Sequence, residues 1–333
     1  MQICPRLVLR RALIAVCLAL SLTTAVHAQA PSATKPTAQI QTLKITVLST
    51  MLVGETKGIG EWGFSALVEA DGHRILVDTG SRPETVLSNA RELNVDLSNV
   101  HEVILTHNHG DHVGGLMTLR REMMKQDPAA LSVVHVAKGI FYSRPSPEGE
   151  ANDMIAIRKE YEATGGKIIE HQDGAEIFAG AWLSGPVPRK YPEHNWSVKG
   201  KVQTPAGLVE DTIPEDQSLV LNTSRGLVIV TGCGHAGIVN ILTYATASYS
   251  NQPVYAVVGG LHLFPANDEQ VNWTGDEFKQ FRVSNLLGAH CTGIEAVYRL
   301  RDRAGLSRNS AVVGTVGSTF TLADGIKTGP LAK

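Results

Sequence analysis

The sequence predicts an α/β fold in which layered β-sheets are flanked by helices. A strand–turn–strand pattern surrounds Asp71-Gly72, and this dipeptide is a strong signal for a β-hairpin. Beyond it, short apolar runs alternate with segments of helical pattern along the chain. Mixed strands and helices within one uninterrupted stretch are typical of sheets covered by helices. With 43% hydrophobic residues in 333, the chain can build a sizeable core.

The individual elements follow from the same patterns. Residues 82–94 predict a helix that opens near Pro83, because proline is tolerated in the first helical turn. A short buried strand is expected at 103–105, with a helix starting near Gly114 after it. The other predicted strands are 44–52, 63–70, 73–78, 132–136, 167–171, 181–184, 217–223, 226–231, 254–258 and 283–287. The other predicted helices are 151–164, 238–248, 276–281 and 293–304.

Residues 1–30 predict a secretory signal peptide. Arg6, Arg10 and Arg11 precede an apolar run at 12–22, and small residues then end in Ala28-Gln29-Ala30. A membrane anchor is the alternative, but the run is too short to span a bilayer comfortably. The arginine pair allows a twin-arginine signal, although the very apolar run favours the general secretory route. We therefore expect a periplasmic or secreted protein.

The rest of the chain predicts a short linker and one large domain. Residues 31–42 contain prolines, serine and threonines and are expected to form the linker, while 43–333 form the domain. The net charge is −2, and no run of basic residues exists beyond the N-terminus. Charge therefore indicates neither a nucleic-acid partner nor, after signal cleavage, a membrane partner. A small-molecule substrate is expected, and the oligomeric state stays open.

A dense run of metal-binding side chains follows the strand at 103–105. His107 and His109 are two residues apart, so in an extended segment their side chains point to the same side. Asp111 and His112 come where the chain turns towards a helix. Two imidazoles can thus face one ion while a carboxylate and an imidazole face a second, and zinc, iron and manganese accept these ligands. A polar turn with surface histidines would not explain such a density of ligands.

Three further loops place a histidine just past an apolar strand. These loops are Gly232-Cys233-Gly234-His235, Gly259-Gly260-Leu261-His262 and Gly288-Ala289-His290-Cys291. Strand ends at one edge of a layered α/β fold are where ligands gather. A single histidine of this kind would be structural more often than functional, but the repetition predicts a shared site. Cys233 and Cys291, the two cysteines beyond the signal, fit either a disulfide or this site.

These motifs resemble the metallo-β-lactamase superfamily over about residues 43–310. The general resemblance is carried by Asp78-Thr79-Gly80 and by Thr106-His107-Asn108-His109-Gly110-Asp111-His112 followed by Gly114-Gly115. More narrowly, the sequence resembles the dihydropterin phosphate synthase-like branch of this superfamily. Four motifs carry that resemblance: Asp216-Gln217-Ser218-Leu219, Thr231-Gly232-Cys233-Gly234-His235-Ala236-Gly237-Ile238-Val239-Asn240, Gly259-Gly260-Leu261-His262 and His290-Cys291-Thr292-Gly293. The resemblance implies an αββα sandwich of two mixed sheets, with a dinuclear site at one edge.

The resemblance also implies roles for the site residues. His107 and His109 would bind one ion, and Asp111 and His112 the other. Either His290 or His262 would complete the shell of the second ion. Asp78 and Asp216 would support the ligand loops from behind.

Two departures from the general pattern change the expected ligands. Residues 184–189 contain no histidine where the pattern has one, and Cys233 stands where the pattern has a bridging aspartate. His235 could supply the missing imidazole. Cys233 could be a thiolate bridge or a small residue in a tight turn, and both interpretations stay open. The expected cofactor is one or two divalent ions, with zinc first and iron or manganese as alternatives.

The leading interpretation is an exported metal-dependent hydrolase. A divalent ion lowers the pKa of its bound water and would let the resulting hydroxide attack a small ester, lactone, amide or phosphodiester. Asp111 is the candidate catalytic residue, because a free carboxylate oxygen could orient that water or take its proton. The alternatives are the transferase reaction of the resembled branch and a non-catalytic metal-binding module. A β-lactamase proper is a weaker option because the branch motifs differ.

The walls of the substrate pocket are expected in segments 142–164 and 189–207. Arg144 and Arg189 could meet an anionic substrate there, or belong to a solvated charged surface.

Overall fold

The structure is a computed structural model, and it describes residues 38–55, 57–196 and 199–332. The predicted signal peptide and residues 31–37 of the predicted linker lie outside the described residues. The end of that linker packs against the domain, since Ile40 is fully buried and pairs with Thr223. No helix within the described ranges is long and apolar enough to cross a membrane.

The described chain contains strands in five sheets and seven α-helices. The strands are β1 (Leu43–Ser49), β2 (Leu52–Val53), β3 (Ser65–Ala70), β4 (His73–Val77), β5 (Glu102–Ile104), β6 (Val133–Ala137), β7 (Pro145–Ser146), β8 (Gly149–Glu150), β9 (Lys167–His171), β10 (Ala175–Phe178), β11 (Ala181–Leu183), β12 (Lys201–Thr204), β13 (Gly207–Glu210), β14 (Ser218–Thr223), β15 (Gly226–Thr231), β16 (Val254–Gly259), β17 (Asn285–Gly288), β18 (Ala311–Val313), β19 (Thr315–Val316), β20 (Thr319–Thr321) and β21 (Gly325–Lys327). The α-helices are α1 (Thr85–Glu92), α2 (Gly110–Val113), α3 (Leu116–Met123), α4 (Met154–Glu162), α5 (Ile238–Ser248), α6 (Asp268–Gln280) and α7 (Ile294–Ala304). Short 3-10 helices cover His290–Thr292 and Pro330–Ala332.

Two large mixed sheets form the centre of the fold. The first has the strand order β21-β20-β1-β3-β4-β5-β6-β9, and the second has the order β10-β11-β14-β15-β16-β17-β18. Within each sheet a block of four strands is parallel, β4-β5-β6-β9 in one and β15-β16-β17-β18 in the other. The carboxyl ends of neighbouring parallel strands therefore lie at the same edge of each sheet.

Alternating side chains of each sheet face two different cores, one shared with the other sheet and one under the helices. In β4, Ile75 and Val77 join a core shared by both sheets, whereas Leu76 points to the core under α1, α3 and α4. In β15, Val228 faces the shared core and Ile229 faces the core under α5, α6 and α7. The result is an αββα sandwich of two mixed sheets flanked by helices, and the predicted fold class is confirmed.

Most predicted elements are present, with three differences. The predicted helix at 276–281 is only the end of α6, which begins at Asp268 behind an Asn267 cap that accepts a hydrogen bond from the Gln270 N–H. The helix expected near Gly114 is α3, and a short helix that was not predicted, α2, precedes it with Gly114-Gly115 between the two. Nine strands were not predicted, because they are only two to four residues long and too short to show a clear alternating pattern; they are β7, β8, β10, β12, β13 and β18–β21.

Candidate metal centre

The candidate ligands lie in loops at the carboxyl ends of the parallel strands. Asp78 directly follows β4, and the run from His107 to His112 begins after β5. In the second sheet, Cys233 and His235 follow β15, His262 follows β16 and His290 follows β17. Packing the two sheets face to face brings these loops together at one end of the sandwich.

His107, His109 and His235 form the first group of candidate ligands. Their ligand atoms all lie within 4.8 Å of one another. The His107 and His235 Nε2 atoms are buried and have no hydrogen-bond partner. The opposite nitrogen of each ring is engaged, since His235 Nδ1 donates to the Asn195 carbonyl and His107 Nδ1 lies 2.9 Å from Thr106 Oγ1. Two unpaired nitrogens that converge in a buried place fit a metal ion.

The protonation of this group also fits metal binding. Burial, with the neighbouring histidines, holds the pKa of His107 and of His235 well below the ordinary range. Burial likewise lowers the pKa of His109 to about 4. All three imidazoles are therefore neutral near pH 7, which is the form that binds a metal.

Asp111, His112 and His290 form the second group. His290 Nε2 lies 3.2 Å from Asp111 Oδ2 and 3.3 Å from His112 Nε2. Two ligands of one tetrahedral zinc ion, each about 2.0–2.1 Å from it, are separated by about 3.3 Å, so the spacing fits one ion. Burial opposes ionisation of Asp111, but a hydrogen bond from His290 and the nearby histidines hold its pKa far below the ordinary value. The structure therefore places His290, not His262, with Asp111 and His112.

A hydrogen-bond relay from Asp78 connects the two groups. Asp78 is fully buried, and its Oδ2 lies 2.7 Å from His112 Nδ1 and accepts from the Thr106 hydroxyl at 2.8 Å. Because that hydroxyl has donated its only hydrogen, His107 Nδ1 must be the donor to Thr106 Oγ1. Both His107 and His112 thus carry their proton on Nδ1 and present Nε2 to a metal. A Cβ at Gly232 would lie 2.0 Å from Thr106 Oγ1, so only glycine fits beside the relay.

The two cysteines lie within the same centre and are not joined by a disulfide. Cys233 Sγ is 3.2 Å from His112 Nε2 and 3.2 Å from Cys291 Sγ. Cys233 groups with His107 and His112, which matches the bridging position, and it also groups with His262 and Cys291. The structure thus puts a soft donor between the groups. Of the two interpretations of the cysteines from the sequence, a disulfide or a place in this site, the structure shows the second.

A buried ion-pair network supports the ligand loops from below. The Arg144 guanidinium donates to Asp211 at 2.6 Å and to Glu215 at 2.7 Å, and all three side chains are nearly inaccessible. Glu215 also accepts a 3.3 Å hydrogen bond from the backbone N–H of Asn108, between the first two histidines. Asp216 accepts from the Ala236 N–H at 2.9 Å, next to His235. Arg144 therefore neither faces a substrate nor lies in a solvated surface.

The segment 189–196 is fixed against the centre as well. The Glu193 carboxylate accepts from the Val239 N–H at 3.1 Å and the Asn240 N–H at 2.8 Å, at the start of α5. Burial raises the pKa of Glu193 to about 7. Arg189 Nη2 donates to backbone carbonyls, including that of His235, so this nitrogen supports the loop of a candidate ligand from inside the protein.

The other histidines of the described residues lie apart from these groups; they are His73, His101, His135, His171 and His194. They contact other side chains instead: His73 stacks on Phe178, His101 pairs with Asp127, His135 with His171, and His194 lies against Trp196. None of them belongs to a candidate metal group within the described residues.

Comparisons with known proteins identify the relatives of this chain. The sequence model described as the metallo-beta-lactamase superfamily matches residues 63–125. A 7,8-dihydropterin-6-methyl-4-(beta-D-ribofuranosyl)-aminobenzene-5'-phosphate synthase from Methanocaldococcus jannaschii is 30% identical over 242 residues, which cover 70% of this chain and 82% of the relative.

Solved structures show the same fold. Tm1679, described as a metal-dependent hydrolase of the beta-lactamase superfamily, is 28% identical with a TM-score of 0.66, covering 84% of this chain and 98% of its own. The metallo-beta-lactamase fold protein YhfI from Bacillus subtilis is 14% identical with a TM-score of 0.51, covering 84% of this chain and all of its own.

Proposed function

Because the chain belongs to the metallo-β-lactamase superfamily, we propose that it is a metal-dependent hydrolase of a small ester, lactone, amide or phosphodiester. The observation that carries this proposal is the convergence of unpaired, buried His107 and His235 Nε2 atoms beside the Asp111, His112 and His290 group. The description of Tm1679 as a metal-dependent hydrolase supports it further.

The residues of this centre have two proposed roles, binding of metal and transfer of a proton. A divalent ion held here would activate water near neutral pH and polarise a carbonyl or phosphoryl group. Imidazole and thiolate donors favour zinc, with iron or manganese as alternatives. Asp111 is 19% exposed and ionised at neutral pH, so it can orient water or accept its proton. The Asp78 relay fixes the orientation of His107 and His112.

A second candidate is a transferase that joins a dihydropterin methyl diphosphate to an aminobenzene ribofuranosyl phosphate. The observation in its favour is the 30% identical relative, which is named a synthase. The predicted signal peptide favours the hydrolase instead, because activated biosynthetic intermediates belong to the cytoplasm. We propose that the mature protein acts in the periplasm or outside the cell.

One experiment separates these functions. The purified protein is analysed for zinc, iron and manganese and then assayed against esters, lactones, amides and phosphodiesters, and against the two transferase substrates. We expect bound metal and hydrolysis of one class. Joined pterin product without hydrolysis would establish the transferase, and bound metal without turnover of any of these substrates would support a binding module.

Substitution of Asp111 tests the catalytic assignment. Asp111→Asn should lower turnover by about 10²–10⁴-fold, because it removes a general base, while the ion at His107, His109 and His235 is retained. The matched control is Asp127→Asn, which alters an exposed carboxylate beside His101. Unchanged turnover in Asp111→Asn would refute the role of Asp111.

A further inference from the structure

Two exposed aromatic side chains lie at the rim of the metal centre. Trp62 is 46% exposed and Phe264 is 52% exposed, and they are the aromatic members among the exposed large apolar side chains of the described ranges. Their ring centroids are 5.2 Å apart with an angle of 81° between the planes. Large aromatic side chains are normally buried, so an exposed pair in contact indicates a binding surface.

Both rings rest directly on candidate metal ligands. The Trp62 ring centroid is 5.0 Å from that of His290, and the Phe264 centroid is 5.3 Å from that of His262. If the reacting group of a substrate is bound at the metal centre, the substituent next to that group would therefore contact these two rings.

The backbone holds the two rings in place. Phe264 N–H donates to the Cys291 carbonyl at 3.2 Å, so the Phe264 loop is tied to the loop of His290. Next to Trp62, a Cβ on Gly63 would lie 2.8 Å from the Asp111 carbonyl oxygen. The chain therefore passes tightly against the ligand loop there, and the corner between the rings is built before a ligand arrives.

We propose that Trp62 and Phe264 bind an aromatic ring of the substrate, next to the group that reacts at the metal centre. The proposal rests on the proposed function and applies to either candidate reaction. Two rings at 81° present one face and one edge to the same corner, and a third ring can stack on the first and meet the second edge-on. A saturated ring fills the same space but lacks the quadrupole that makes these contacts favourable.

The test compares two phosphonates of similar size at a pH above the second pKa of both, so that each carries two negative charges. Zinc-loaded protein is titrated by calorimetry with phenylphosphonate and with cyclohexylphosphonate. We expect phenylphosphonate to bind about two- to tenfold more tightly, which is the range for an aromatic contact beyond its area. The preference should disappear in Trp62→Ala and Phe264→Ala and persist in Trp62→Phe, which keeps a ring if the alanine variant folds poorly.

Leu208→Ala is the matched control, since Leu208 is an exposed apolar residue of the β12–β13 hairpin. Zinc content is measured for every variant. Three results would each overturn the proposal. The parent protein could bind both phosphonates with equal affinity, or bind neither although zinc is present. The alanine variants could also change their oligomeric state and keep the preference. A protein that binds zinc and hydrolyses substrates would then still support the proposed function.

Discussion

The strongest test of the metal centre is the single-atom substitution Asp78→Asn. Thr106 N–H donates to Asp78 Oδ1 at 2.8 Å, so the amide oxygen of an asparagine must stay on that side. The amide nitrogen then takes the place of Oδ2 and points hydrogens at His112 Nδ1 and Thr106 Oγ1. His112 must therefore carry its proton on Nε2. The Thr106 hydroxyl must turn and donate to His107 Nδ1, so His107 must also carry its proton on Nε2.

The magnitude follows from the relay. Protons on Nε2 would block one imidazole in each metal group, so both ions should bind more weakly. Loss of such a supporting partner costs about 10–100-fold in metal affinity. This corresponds to about 1.4–2.8 kcal/mol for each ion.

The assay is a competition titration with a chromophoric chelator, together with metal analysis. Thr106→Val is the informative second variant, because it breaks only the His107 branch and should weaken one ion. Asp71→Asn is the control, since Asp71 has a similar positive φ (46° against 54°) but lies in the β3–β4 turn. If Asp78→Asn bound both ions with the parent affinity, the relay would have no role in orienting the ligands.

Three further predictions concern the surroundings of the centre. Arg144→Met should lower the free energy of unfolding by about 3–5 kcal/mol in a urea titration, because two buried carboxylates lose their partner. The control Arg158→Met removes an exposed ion pair and should cost at most about 0.5 kcal/mol; equal effects would contradict the reasoning. Burial raises the pKa of Glu193 from 4.5 to about 7, so the folded state retains a proton that the unfolded state has released. The free energy of unfolding should therefore fall as pH rises from 4.5 to 7, and Glu193→Gln should reduce this fall by up to about 3 kcal/mol, whereas a parallel pH profile would count against it. Cobalt-substituted protein should show a near-ultraviolet charge-transfer band from a thiolate ligand, and Cys233→Ser should remove this band. If the band survived in Cys233→Ser and disappeared in Cys291→Ser, the thiolate ligand would be Cys291 instead.

Sequence patterns determined the features that depend on neighbouring residues. The hairpin at Asp71-Gly72, the strand β15 and the helix α5 were predicted with their bounds or nearly so, because alternation, helical periodicity and glycine breaks are local signals. The candidate ligands of the run from His107 to His112 were evident for the same reason.

Only the tertiary structure decided how the ligands combine. His112 and His290 are 178 residues apart in sequence, Cys233 and Cys291 are 58 apart, and Asp78 lies 28 residues before Thr106. Which of these side chains meet depends on the register of the parallel strands and on how the two sheets stack. Periodicity says which face a side chain points to, but it does not say which distant strand end lies opposite. That is why His262 and His290 were equivalent candidates in the sequence, and why the fold places only His290 beside Asp111.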